Sequence, residues 1–208
     1  MKHIILVAAL AAASVGLAET IKLPAPDKDS GVSVIQALKG RHSERAFCGK
    51  DIPVELLSGV LWAANGFNRP DKRTNATALN LQTITVYACM KSGAYRYDAK
   101  ANELVKVCDK DLRPAIAAHQ PYAAEAPVSL LITADVSGPA YKDKRSTLTH
   151  YDAGIVSGNI YLYCAANGLV TVCRGSMDRD ALKKALNLGD KIILHLNHPV
   201  GYPLETKK

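Results

Sequence analysis

The densest chemistry in the chain is Arg41-His42-Ser43-Glu44-Arg45. In an extended segment alternate side chains share a face. Arg41, Ser43 and Arg45 would then aim two guanidinium forks and a hydroxyl at one point, with His42 beside them. Planar, multidentate donors of that kind match a phosphate; a solvated basic loop is the other reading. A second stretch, Arg73 to Gln82, sets Asn80 and Gln82 two apart behind the small residues Ala76 and Thr77. Small residues let a flat ligand approach the backbone, and amides read ring carbonyls and nitrogens. Taken alone, the stretch is a polar turn before a strand. A third, Cys173-Arg174-Gly175-Ser176, leads to Asp178. Its backbone N–H groups can face a ligand because Gly175 has no Cβ; a plain loop-to-helix link is the alternative.

Elements that would position these groups follow from periodicity. Ser30 to Leu38 predicts a first helix with Val34, Ile35 and Leu38 on its apolar face, Ser30 as cap and Gly40 as stop. Asp51-Ile52-Pro53 opens a second helix carrying Val54, Leu57, Val60, Leu61 and Ala64 on one side. Asn68 to Thr77 reads as loop. Thr83 to Met90 is rich in β-branched and aromatic residues and predicts a strand; Ala94–Tyr97 and Glu103–Val107 predict two more. Leu112 to Ala118 reads as helix, and Val128 to Ala134 as a central strand. Thr149 to Asn167 is apolar nearly all round, so a helix there must be buried on most sides, in a core or a subunit interface. A short strand over Val170–Cys173, a helix capped by Asp178 and running to Leu188, and a last strand over Lys191–Val200 complete the pattern. Helices and strands mix without regular βαβ alternation, which predicts an α+β fold.

The 208 residues are 48% hydrophobic and 22% charged, which excludes extensive disorder. Met1-Lys2-His3, the apolar run Ile4–Ala13, and Gly16 and Ala18 have the three-part layout of a secretory signal cleaved after Ala18. The domains are therefore read as residues 1–18, signal peptide; 19–29, extended lead-in; and 30–208, the folded unit. Export predicts a periplasmic or secreted protein with no membrane span after processing. Five widely spaced cysteines imply no disulfide scaffold. Cys89 and Cys108 flank a predicted hairpin and are either paired or buried free thiols.

In order and spacing the three polar segments resemble the FMN-dependent nitroreductase family. Ala37-Leu38-Lys39-Gly40-Arg41-His42-Ser43-Glu44-Arg45-Ala46-Phe47 is similar to the family's opening helix and Arg-[Arg/His/Tyr]-Ser-x-[Arg/Lys]-x-Phe. Ala76-Thr77-Ala78-Leu79-Asn80-Leu81-Gln82 is similar to Pro-Ser-x-x-Asn-x-Gln. The long helix, Gly168 to Gly175, and Pro199-Val200-Gly201-Tyr202-Pro203 close the match. The resemblance implies an α+β homodimer, with a mainly antiparallel sheet flanked by helices and two FMN sites at the subunit interface. It implies that Arg41, Ser43 and Arg45 hold the FMN phosphate with His42 alongside. Ala76, Thr77, Asn80 and Gln82 would approach the flavin from the partner, and Cys173, Arg174 and Gly175 would lie at the ring, largely through backbone. The implied activity is electron transfer through flavin to a small organic acceptor such as a nitro or quinone compound.

Departures from the pattern bear on the substrate. Ala76 and Thr83 stand where the family favours proline, only Lys207 and Lys208 form a basic C-terminus, and Pro139 to Thr149 is short for the family's helical excursion. Export separates the protein from cytoplasmic nicotinamide nucleotides, so the donor is NAD(P)H or something else. An exported, non-catalytic flavin-binding protein is the alternative. No catalytic acid or base is called for by the residues. Gly154-Ile155-Val156-Ser157-Gly158 lacks the hydrolase elbow spacing. His195 and His198, three apart on a strand, would face opposite ways and make a poor metal pair. Neither a dinucleotide-binding glycine motif nor a nucleic-acid motif is present.

Overall fold

Two strands carry the centre of the molecule. β4 (Ile84–Met90) and β7 (Val128–Asp135) pair antiparallel along their length. Side chains alternate between two apolar layers: Val86, Ala88, Leu130 and Ile132 face one, and Tyr87, Cys89 and Leu131 face the other. The computed structural model describes residues 19–29, 31–141 and 145–204. The signal reading of residues 1–18, Ser30, Lys207 and Lys208 lie outside them.

β5 (Gly93–Asp98), β6 (Glu103–Cys108) and β1 (Thr20–Lys22) extend the sheet on one side; β9 (Ile192–Gly201) and β8 (Val170–Thr171) extend it on the other. The order is β1-β6-β5-β4-β7-β9-β8, antiparallel throughout. Helices α2 (Val54–Asn65) and α4 (Leu148–Ala166) cover the first layer, and α3 (Arg113–Ala117) and α5 (Arg179–Ala185) the second. This is the expected α+β arrangement. The lead-in is more than a tail, since β1 pairs with β6 at the sheet edge. The predicted loop at 68–77 contains a small hairpin, β2 (Phe67–Arg69) with β3 (Lys72–Arg73).

Two expectations are corrected and one open alternative is decided. Helix α1 (Val34–Gly40) starts later than predicted, with Ser33 as its N-cap. Ser33 Oγ accepts the N–H of Gln36, and Gln36 Oε1 accepts the N–H of Ser33, a capping box that fixes the start. Its apolar face is not core: Val34, Ile35 and Leu38 are 68%, 72% and 53% exposed, while Ala37 is buried. Second, Cys89 and Cys108 are not partners. Cys89 is opposite Ala94 and Ala94 opposite Cys108. β5 therefore lies between them, two strand spacings or ~10 Å, beyond the ~7 Å that a disulfide spans. Both are free thiols.

Third, His195 and His198 face the same way. The β7–β9 register passes from Ile132–Leu196 to Thr133–Leu194, so His195 is an extra residue in a bulge and the alternation resets. His195 Nε2 meets Thr149 Oγ1 at 2.8 Å, and His198 Nε2 meets Ser157 Oγ at 2.8 Å, both on α4. Among the described residues no group of side chains is arranged to hold a metal. His198 is fully buried and desolvation pushes it down to about 3. The unfolded chain takes up a proton near 6.5 and the folded chain does not, so this contribution is lost as pH falls through that interval. His198 alone should lower folding stability by about 2 kcal/mol between pH 7 and pH 5. Denaturant titrations of the native chain and His198→Gln at the two pH values test this. Equal acid sensitivity in both would contradict it.

Candidate functional site

The segment after α1 runs extended because it is pinned along the β8 edge. The N–H of Glu44 donates to Thr171 O at 3.0 Å, Phe47 bridges Pro203, and the N–H of Cys48 donates to Tyr202 O. Arg41, Ser43 and Arg45 are all exposed, and Arg41 and Arg45 make no salt bridge among the described residues. The intervening Glu44 folds its carboxylate back to accept the N–H groups of Arg45 and Ala46 at 2.6 and 3.0 Å, and these bonds hold its pKa below the usual carboxylate range. It makes no salt bridge to either arginine, although its charge still acts on His42 and Arg45. Two cationic forks and a hydroxyl without a salt-bridge partner among the described residues fit a phosphate group.

Tyr161, on α4, joins this segment to the third one. Its hydroxyl lies 2.7 Å from Ser43 Oγ and accepts the N–H of Cys173 at 2.8 Å; the Arg41 guanidinium lies over its ring at 5.2 Å. His42 turns the other way, and its Nδ1 lies 2.8 Å from Gly40 O. With Gly40, Tyr161, Gly168, Thr171 and Pro203 it lines a cleft of about 180 Å³. That volume is below the ~300–1,000 Å³ usual for a ligand pocket, so one subunit alone does not enclose a tricyclic ligand there.

Arg174 is placed against expectation. Its guanidinium is buried and donates to Gln120 Oε1, Asn197 Oδ1 and the carbonyls of Ile116 and Ala117. Its backbone N–H and C=O are both bonded to Asn197. A buried guanidinium needs acceptors, and four of the five N–H donors of Arg174 are taken within the chain, so it is a fixed post between β9 and α3. The N–H of Cys173 is taken by Tyr161. Gly175 opens outward, with no atom within 4 Å of where its Cβ would sit.

The loop after β3 is held at a different place. Asp152 of α4 accepts the N–H of Ala78 at 2.9 Å. From Asp152 to Tyr161 is nine residues, ~14 Å along the helix. The two segments are therefore anchored at well-separated points on α4. Leu79, Asn80 and Gln82 have φ of 52°, 55° and 51°, a left-handed conformation costing ~1–3 kcal/mol at a non-glycine residue. Gln82 is corrected from a ring-reading amide to an internal tie. Its oxygen accepts from Arg73 Nε, and its nitrogen donates to Asp71 O and Asn80 Oδ1. Thr77 Oγ1 accepts the N–H of Gln82, while Ala76 and Asn80 remain exposed. Tyr161 and Asp152 went unnoticed in the sequence because each sits inside an otherwise apolar element.

With this geometry in view, the chain can be compared with known proteins. Residues 38–202 match the model of the nitroreductase family. The chain belongs to that family and is an oxidoreductase of the nitroreductase type. A protein of Methanocaldococcus jannaschii named as a nitroreductase is 26% identical over 203 residues, covering 91% of this chain and 100% of the relative. A crystal structure from Ralstonia eutropha JMP134, also named as a nitroreductase, superposes with a TM-score of 0.80 at 30% identity, covering 90% of each chain. An FMN-dependent nitroreductase of Clostridium difficile R20291 shares the fold at 18% identity, with a TM-score of 0.57 and 84% and 90% of the two chains covered.

Asp152 yields a pH prediction. Burial raises its pKa, offset in part by the Ala78 N–H, and its second carboxylate oxygen is buried without a partner. A raised folded-state value means its contribution is present below about pH 4 and is lost as pH rises through the raised value. Asp152→Asn keeps an acceptor for Ala78 and removes the titration. The variant should therefore gain stability relative to the native chain from about pH 4 to about pH 7. Paired thermal melts across that range would show the gain; a constant difference would contradict it.

Proposed function

We propose that the chain is an FMN-dependent oxidoreductase that passes electrons through bound flavin to a small organic acceptor, such as a nitro or quinone compound. The observation that carries this is the donor set: Arg41 and Ser43 meet at Tyr161, and Arg45 follows two residues on, exposed and without a salt bridge among the described residues. The fold shared with the Clostridium difficile FMN-dependent nitroreductase supports the choice of cofactor.

FMN, when bound, supplies the electron-carrying chemistry. The residues of the chain bind and orient it. Arg41, Ser43 and Arg45 hold the phosphate, His42 walls the cleft beside it, and Gly175 leaves room for close approach of the ring. Asn80 and Thr77 contribute from a second copy of the chain, as the resemblance to the family implies. A homodimer is also supported by the outer face of α4. Tyr151 and Ile155 are 69% and 41% exposed there, and Gly154 and Gly158 have open space around them. Glycine inside a helix costs ~1 kcal/mol against alanine, a cost that close helix approach by a partner would offset.

The sequence layout of residues 1–18 supports export, and the donor is then NAD(P)H or another reductant available outside the cytoplasm. The purified protein should show a flavin absorption spectrum. Each charged hydrogen bond lost is worth ~1.5–3 kcal/mol, so Arg41→Ala with Arg45→Ala should weaken FMN binding at least a hundredfold. Unchanged affinity would overturn the clamp. Binding without turnover of any donor and acceptor pair would favour a non-catalytic flavin carrier. Ile155→Glu buries a charge in the proposed interface; light scattering should find a monomer with weakened FMN binding, and an intact dimer would reject that interface.

A further inference from the structure

We propose that Tyr161 is the positioning residue of the anion clamp: it fixes the direction of the Ser43 hydroxyl hydrogen and so makes Ser43 a donor to phosphate. This rests on the FMN reading above and deepens it.

The direction of each bond follows from what each atom can do. The backbone N of Cys173, 2.8 Å from the Tyr161 oxygen, can only donate. Tyr161 therefore accepts there, and an accepted hydrogen bond strengthens the donor power of the phenol's own O–H. The neighbouring atom is Ser43 Oγ at 2.7 Å. A phenol is a stronger acid than an aliphatic alcohol, so the shared hydrogen sits on Tyr161 and Ser43 accepts it. The hydrogen of Ser43 is then turned outward, to the exposed side that Arg41 also faces, with its guanidinium over the Tyr161 ring. One hydroxyl thus orders two of the three donors. Without it, Ser43 could present either a hydrogen or a lone pair, and a lone pair repels phosphate oxygens.

The surroundings keep Tyr161 in place. His198 meets its ring edge-on at 5.2 Å and 84°. Both imidazole nitrogens of His198 are occupied, by Ser157 Oγ at 2.8 Å and Thr171 Oγ1 at 3.0 Å. The Thr171 hydroxyl in turn donates to Pro199 O. A neutral, doubly bonded imidazole therefore backs the ring. Thr171 O also accepts the Glu44 N–H, which fixes the backbone between Arg41 and Arg45. Clamp and backing ring are held by neighbouring groups on the same short strand.

FMN and riboflavin share the ring and differ in the phosphate, so comparing them isolates the clamp. Tyr161→Phe deletes one oxygen from a half-buried side chain and leaves the ring packing intact. By calorimetric or fluorescence titration, it should weaken FMN about tenfold, the scale of one hydrogen bond, and leave riboflavin unchanged. Ser43→Ala should do the same, and the double variant should be no weaker than either single one. A merely structural role would weaken both flavins together, and independent roles would make the two effects add; either result overturns the proposal. If the native chain binds neither flavin, the FMN reading itself fails.

Discussion

Helix α4 is the element on which both candidate ligand-contacting regions hang. Its inner face is core, through Ala153, Val156, Ile160 and Cys164. Its polar residues are spent on other elements: Thr149 on His195, Asp152 on Ala78, Ser157 on His198, and Tyr161 on Ser43 and Cys173. Each contact joins α4 to another element, two of them to β9 and two to the polar loops. Moving α4 by one turn, ~5.4 Å, would break all four together. That is why a helix lacking any catalytic motif governs the geometry of segments that have one.

The same helix also separates those segments. The clamp sits near its C-terminal half and the strained 76–82 loop near its N-terminal half. Left-handed backbone at Leu79 and Gln82 is costly and persists because the surroundings over-determine it. Here Arg73, Asp71, Thr77 and Asp152 supply that determination. Under the two-subunit reading the strain has a purpose: it presents Asn80 outward, to a neighbour's site rather than its own. The exposed apolar residues of α1 and α4 give that neighbour a surface to bury.

Much of this was legible in the sequence, and the failures have physical causes. The Arg41–Arg45 alternation was readable because an extended segment has only one periodicity. The sheet strands were readable from β-branched runs such as Thr83–Met90. The apolar face of α1 was misread because periodicity marks a buried stripe without saying whether the chain's own core or a partner covers it. The histidines were misjudged because a bulge, invisible in composition, resets the alternation at His195. Arg174 was named only through the resemblance, within the Cys173–Gly175 segment; the fold shows four acceptors converging on its side chain. Tyr161 was hidden within an apolar helix, since its role exists only where two distant loops meet its hydroxyl.

The division of each site between two subunits can be measured directly by complementation. Arg41→Ala and Asn80→Ala chains are each prepared, unfolded, mixed in equal amounts and refolded. If clamp and loop come from different subunits, mixed dimers carry one intact site and one doubly altered site, and about a quarter of all sites recover native FMN affinity. Failure of the mixture to bind more FMN than either variant alone would place both segments in the same subunit, contradicting a shared site.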